Sequence, residues 1–183
     1  MAPISDYFNA VHDLSLNVEI NEEVEKLVSQ LKSSSGTCFI VGNGGSAAIA
    51  EHFVTDLGRA KNNAGRTIRA LYLGSNTSLI TADSNDFGYA EIFSRQIASF
   101  GSNGDTLVAI SSSGNSPNIV SALLQSKQVG VLSFALTGFD GGQAARVCDV
   151  SIHIPSAIGS YESVEDIHSM VCHFVAMRLK NRI

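Results

Sequence analysis

His52 and Asp56 stand four residues apart, a spacing that places both on one face of a helix. Near the other end of the chain, Glu165, His168 and His173 recur within one segment, so three of the five histidines belong to this set. Two imidazoles with two carboxylates form an N/O donor set that suits a divalent ion such as zinc. The same groups can move protons near neutral pH. Glu165 and His173 are eight residues apart, about 12 Å along a regular helix, which strains the reach of both side chains toward one ion. Glu165 with His168, three apart, is the easier local pair.

A second kind of chemistry is written in two segments of like layout. Thr37 to Ile49 reads TCFIVGNGGSAAI and Thr106 to Ile119 reads TLVAISSSGNSPNI. Each has an apolar, β-branched run, then a Gly/Ser/Asn cluster, then a helix start. That is the pattern of a buried parallel strand feeding a tight loop at a helix N-terminus, where free N–H groups and the helix dipole favour an anion. The first cluster offers Asn43, Gly44, Gly45 and Ser46; the second offers the hydroxyls of Ser111, Ser112, Ser113 and Ser116. Hydroxyls, amides and glycines suit a sugar phosphate, because they hydrogen-bond a phosphate without a cation. Pro117 after Ser116 fits an N-cap serine with proline at the first helical position.

These groups need elements to carry them. Five strands are expected at Thr37–Val41, Ile68–Leu73, Thr106–Ser111, Val131–Leu136 and Val150–Ile154. Helices are expected at Ser46–Leu57, Ala90–Phe100, Pro117–Lys127 and Gly142–Val147, with a last one from Glu162 to Lys180. Strands alternating with helices imply right-handed crossovers and a five-stranded parallel sheet covered on both faces, a three-layer α/β/α domain. Residues 1–35 read as a helical lead-in to the same domain, with Asn21 as an N-cap and either one long helix or two joined near Asn17 to Asn21; residues 36–183 form the ligand-binding part. In such a sheet the ligand lies beyond the carboxyl ends of the strands, where both Gly/Ser clusters fall.

Composition narrows the classes further. A chain of 183 residues with 44% hydrophobic and 16% charged residues has enough apolar side chains for one full core. A net charge of −5 with no Lys/Arg run argues against a nucleic-acid surface. Cys38, Cys148 and Cys172 are scattered, and Cys38 and Cys172 sit in apolar runs as small buried hydrophobes. With no signal peptide and no apolar run long enough for a bilayer, a cytoplasmic protein without a membrane partner is expected.

The ordered motifs resemble those of the sugar isomerase (SIS) domain family, in its phosphoheptose isomerase branch. The resemblance rests on GNGGS with the following AEHF, on SSSGNSPN, on Ser84-Asn85-Asp86-Phe87-Gly88-Tyr89, on Phe93-Ser94-Arg95-Gln96, on Leu136-Thr137-Gly138 with Asp140-Gly141-Gly142, and on Val164-Glu165-Asp166-Ile167-His168. It implies an aldose–ketose isomerase converting sedoheptulose 7-phosphate to a heptose 7-phosphate through a metal-assisted enediol, for lipopolysaccharide or capsule synthesis. By position it implies a Zn2+ or other divalent ion on His52, Asp56, Glu165 and His173, with Asp56 and His173 as the acid/base pair. It makes the serine loop the phosphate cradle and adds Asn76, Asn85, Asp86 and Glu165 to the loop residues as substrate contacts. It also implies a homotetramer with sites at subunit interfaces.

The chain departs from that branch around the sugar. Asp56 replaces the usual Glu and is one methylene shorter; the ELTGR stretch becomes Asp56-Leu57-Gly58-Arg59, so Arg59 aligns only with a shift; Asn76 stands where an acid contacts sugar hydroxyls; Glu165 replaces Gln and adds negative charge. An isomerase of a different sugar phosphate is therefore a second reading. A non-catalytic scaffold, such as the relatives that bind a replication initiator, or a sugar-phosphate sensor, is a third.

Overall fold

The apolar runs become strands because alternate residues face two separate cores. The computed structural model describes residues 3–16 and 19–183. In β1 (Thr37–Gly42), Cys38 and Ile40 point into one core while Phe39 and Val41 point into the other. In β3 (Thr106–Ser111), Val108 and Ile110 oppose Leu107 and Ala109 in the same way. A strand buried on both faces belongs in a parallel sheet sandwiched by helices. With β2 (Arg69–Tyr72), β4 (Leu132–Thr137) and β5 (Val150–His153) the sheet has five strands, all parallel, in the order β2-β1-β3-β4-β5. The three-layer α/β fold read from the sequence is the one observed.

That order sets the site. The chain moves outward from β1 to β2, crosses back to β3 on the other side of β1, and continues to β4 and β5. The loops after β1 and β3 therefore leave adjacent strands, in register from Cys38↔Thr106 to Gly42↔Ile110. Their helices depart toward opposite faces. Helix α3 (Gly45–Leu57) packs in one core with α2 (Asn21–Ser33) and α8 (Tyr161–Leu179), and α1 (Ile4–Leu16) adds Val11 to it. Helix α6 (Pro117–Val129) packs in the other core with α5 (Ser94–Phe100) and α7 (Gly142–Val147). Divergence of this kind opens a crevice at the switch point, the usual ligand position in an open α/β sheet.

One helix was not expected. Helix α4 (Thr77–Phe87) carries only Asp83 as a buried residue, so it lacks the apolar stripe that reveals a helix in sequence. Besides the partly buried Ile80, polar contacts hold it: Asn76 accepts a hydrogen bond from the Leu79 amide at 3.1 Å, and Arg95 pairs with Asp83 at 3.2 Å while its guanidinium lies 3.4 Å from the Phe87 ring centre. Asn21 is the first helical residue of α2 and not its cap; Ile20 takes the cap position with no side-chain bond. The lead-in forms two helices, and the Asn17 end of their joint lies outside the described residues. Cys38 and Cys172 are buried as read, and burial raises both thiols, Cys38 to about 12. No helix among the described residues is long and apolar enough to cross a membrane.

His168, on α8, is 0% exposed, and neither of its ring nitrogens has a hydrogen-bond partner. Burial disfavours its charged form and lowers its pKa to about 4. The unfolded chain then binds a proton, near the ordinary histidine pKa, that the folded chain refuses. Stability contributed here is intact above that ordinary value and is lost as pH falls toward 4, by on the order of 3 kcal/mol. Urea unfolding between pH 7.5 and 4 (roughly, the titration window of a buried histidine) should show this slope, and His168→Leu should make it shallower.

Candidate active site

The first loop turns on Gly44, whose φ of 54° is a conformation that favours glycine, and α3 then starts at Gly45 with no side-chain cap. Its first amides are left for another acceptor. The second loop turns on Gly114, at φ 63°, where a Cβ would collide with the Gly141 carbonyl. That contact braces the serine loop against the loop after β4, together with Gly138 N–H to Ser112 O at 2.9 Å and Ala144 N–H to Gly114 O at 2.8 Å. Ser116 caps α6 by position, with Pro117 at the first helical position, but its hydroxyl makes no capping bond. The two loops are tied by a reciprocal amide pair. Asn43 Nδ2 donates to Asn118 Oδ1 and Asn118 Nδ2 donates to Asn43 Oδ1, both at 2.9 Å, and Tyr89 Oη donates to the same Asn43 oxygen at 3.0 Å.

Between the loops lies a cavity of about 260 Å³. Ligand pockets run from about 300 to 1,000 Å³, so this cavity is at the small end of that range. Asn43, Gly44, Gly45, Ser46, Ser111, Ser112, Ser113 and Ser116 all line it, as the sequence implied, and no lysine or arginine does. The Ser112 hydroxyl is buried without a partner. An orphaned buried hydroxyl on an anion-type loop is a donor awaiting a ligand. Tyr161 and Glu165 close the cavity from α8. Glu165 presses its carboxylate on Gly45, where any Cβ would overlap it. Burial, with Glu162 and Asp166 nearby, raises the Glu165 pKa.

The metal-type set lies further along the same two helices. His52 Nε2 and His173 Nε2 face each other at 3.0 Å, and Asp56 Oδ2 is 3.6 Å from His52 Nε2. All three residues offer ligand atoms within 4.8 Å of one another. Two imidazole nitrogens and one carboxylate oxygen converging at this range fit a divalent ion with a coordination position left open. Burial would raise the Asp56 pKa, but the Lys180 ammonium, 2.8 Å from Oδ1, and the two histidines hold it below the usual carboxylate value. Asp56 is thus an ionised carboxylate with one oxygen engaged.

The structure does not bring every expected residue together. Glu165 sits at the loop cavity and outside the His52–Asp56–His173 cluster, in keeping with the long helical span between it and His173. His168 is sealed in the core and offers nothing to Glu165. Asn76, Asn85 and Asp86 lie at or in α4 and do not line the cavity; Asn76 caps the helix, and Asn85 donates to Asp86 at 2.8 Å. Reasoning from sequence missed Asn118, Tyr161 and Lys180. Lys180 alone carried a signal, since it lies two helical turns beyond His173 and so on the same face.

Comparison with known proteins follows the same outline. The SIS domain profile matches residues 6–138. The phosphoheptose isomerase of Sulfurimonas denitrificans is 37% identical over 162 residues, covering 88% of this chain and 82% of that protein. The phosphoheptose isomerase of Akkermansia muciniphila is 36% identical over 181 residues, covering 98% of this chain and 93% of that one. The solved phosphoheptose isomerase of Neisseria gonorrhoeae superposes with a TM-score of 0.88 at 28% identity, over 97% of each chain.

The orphaned hydroxyl can be tested on its own. Ser112→Ala should leave urea stability unchanged within about 0.5 kcal/mol, because no protein contact is lost. The same variant should bind a sugar phosphate about tenfold more weakly by calorimetry, the loss expected for one hydrogen bond to a charged group.

Proposed function

This chain belongs to the SIS domain family and, within it, to the phosphoheptose isomerases, and on that premise we propose that it isomerises sedoheptulose 7-phosphate to the aldose, a heptose 7-phosphate. The observation that carries this reading is the layout of one site along two helices. Helix α3 has Gly45 and Ser46 at the loop cavity and His52 and Asp56 at the cluster; α8 has Glu165 at the cavity and His173 at the cluster. Ser46 and His52 are about 9 Å apart along the helix axis. An open-chain ketose phosphate, with C–C bonds of about 1.5 Å in zigzag, spans that distance between its phosphate and its C1–C2 pair when it is six or seven carbons long. The separation supports a long sugar over a pentose.

Each end has its task. The loop amides and the Ser111, Ser112, Ser113 and Ser116 hydroxyls hold the phosphate at two helix N-termini, where the dipoles offset its charge. Isomerisation moves a proton from C1 to C2 through an enediol. Asp56, kept ionised, is suited to take the proton from carbon, and His173 to move protons at the two oxygens. Glu165, at the cavity, reaches the sugar hydroxyls between the two ends. A divalent ion on His52, Asp56 and His173, zinc by the donor set, would polarise the carbonyl and offset the enediolate charge when bound. Exposed Phe8 on α1, with Met170 and Phe174 on α8, supplies apolar surface for the homotetramer proposed with this reading.

The test is isomerisation of sedoheptulose 7-phosphate followed by sugar-phosphate NMR, with metal-stripped and zinc-loaded protein in parallel. Zinc-dependent conversion is expected. His173→Ala should lower kcat by about 10²- to 10⁴-fold, the usual contribution of a positioned acid/base group, while phosphate affinity is kept. Metal-loaded protein that leaves this sugar unchanged would overturn the reading and turn attention to other ketose phosphates.

A further inference from the structure

Lys180 is the C-cap residue just after α8, and its side chain is only 13% exposed. A lysine so placed either pairs or loses its charge. Its ammonium donates to Asp56 Oδ1 at 2.8 Å, while Asp56 Oδ2 is the oxygen that stands 3.6 Å from His52 Nε2. The two carboxylate oxygens are thus divided between an ammonium on one side and the histidines on the other. A shorter carboxylate needs such a hold. Asp56 has one torsion fewer than Glu to aim with, and left free, either oxygen could turn toward the cluster in more than one rotamer.

We propose that Lys180 is a positioning residue that fixes Asp56 so that only Oδ2 is presented to the His52–His173 pair. The inference rests on the metal-site reading above. Ligands of metal sites are oriented by hydrogen-bonded neighbours, and removing such a neighbour weakens metal affinity by about 10- to 100-fold. Here the neighbour is a cation, which would also repel a bound ion. The close contact with Oδ1, in a place where the ammonium itself is largely buried, makes orientation the larger effect. Lys180 does not line the loop cavity, and its ammonium donates to Asp56, so its effect passes through that carboxylate.

Cobalt(II) serves as the probe, titrated into the metal-stripped full-length protein and followed by its visible absorption. Lys180→Met should weaken cobalt binding about tenfold or more and broaden or shift the d–d bands, because Asp56 no longer holds one orientation. Lys180→Arg, which restores a cationic donor, should recover affinity to within about threefold of the parent. Urea unfolding of each variant separates misfolding from misplacement. If Lys180→Met folds and binds cobalt as tightly as the parent, or more tightly, the ammonium is a bystander or a competitor and the proposal is wrong. If the parent itself binds no cobalt, the metal-site reading fails first and takes this inference with it.

Discussion

The pairing of β1 with β3 is the constraint on which the rest depends. Because these two strands are neighbours while their helices leave on opposite faces, the loops that follow them must open a crevice and must face each other across it. Five registered residue pairs set the strands side by side as far as Gly42 and Ile110, so the two loops begin within one residue of the same level. The Asn43–Asn118 amide pair then locks the loops at a set spacing. Asn118 is 1% exposed, so breaking the pair would strand a buried amide, at a cost of about 1–3 kcal/mol. A cavity whose loop side is lined by small neutral residues follows, with Tyr161 and Glu165 closing it from α8 and no basic residue in its lining.

The second consequence concerns α3 and α8. Contacts at Gly45–Glu165, His52–His173 and Asp56–Lys180 show that the two helices run side by side in the same direction away from the cavity. Their packing is secured in the core by Phe53 and Leu57 from α3 against Val171, Cys172, Val175 and Leu179 from α8. His52 and Asp56 from α3 and His173 from α8 form the metal-type cluster on the same pair of helices. The core thus acts as a ruler: it holds two chemically different stations at a fixed separation. A shift of either helix by one turn would misplace the stations by about 5.4 Å, far more than proton transfer tolerates.

Much of this could be read in the amino-acid sequence, and for identifiable reasons. Apolar β-branched runs ending in Gly/Ser clusters mark buried strands and phosphate-type loops, and β1, β3 and the cavity residues were legible from them. His52 and Asp56 were legible because they share one helix. Helix α4 was not, since it is rich in Thr, Ser, Asn and Asp and packs on the core through the partly buried Ile80, with a cap and one ion pair beside it, leaving no periodic apolar stripe. Glu165 lines the loop cavity, eight residues from His173 on α8, and the family resemblance alone assigns it to the ion. His168 shares a segment with Glu165 and His173 but faces the core, and which face of α8 is buried depends on partners remote in sequence. Lys180 escaped notice because its partner lies 124 residues away.

One elongated site joining the serine loop to the His52–Asp56–His173 cluster is what the proposed isomerisation requires. A crystal structure of the His173→Ala protein with sedoheptulose 7-phosphate tests it most directly. The phosphate is expected between Ser111 and Ser116 at the start of α6, and the C1–C2 end beside His52 and Asp56. A phosphate bound elsewhere, for example in the concavity near Ser35, Arg66 and Arg69 at the opposite end of the sheet, would contradict it. So would a sugar whose C1–C2 end lies away from the cluster while its phosphate occupies the loop.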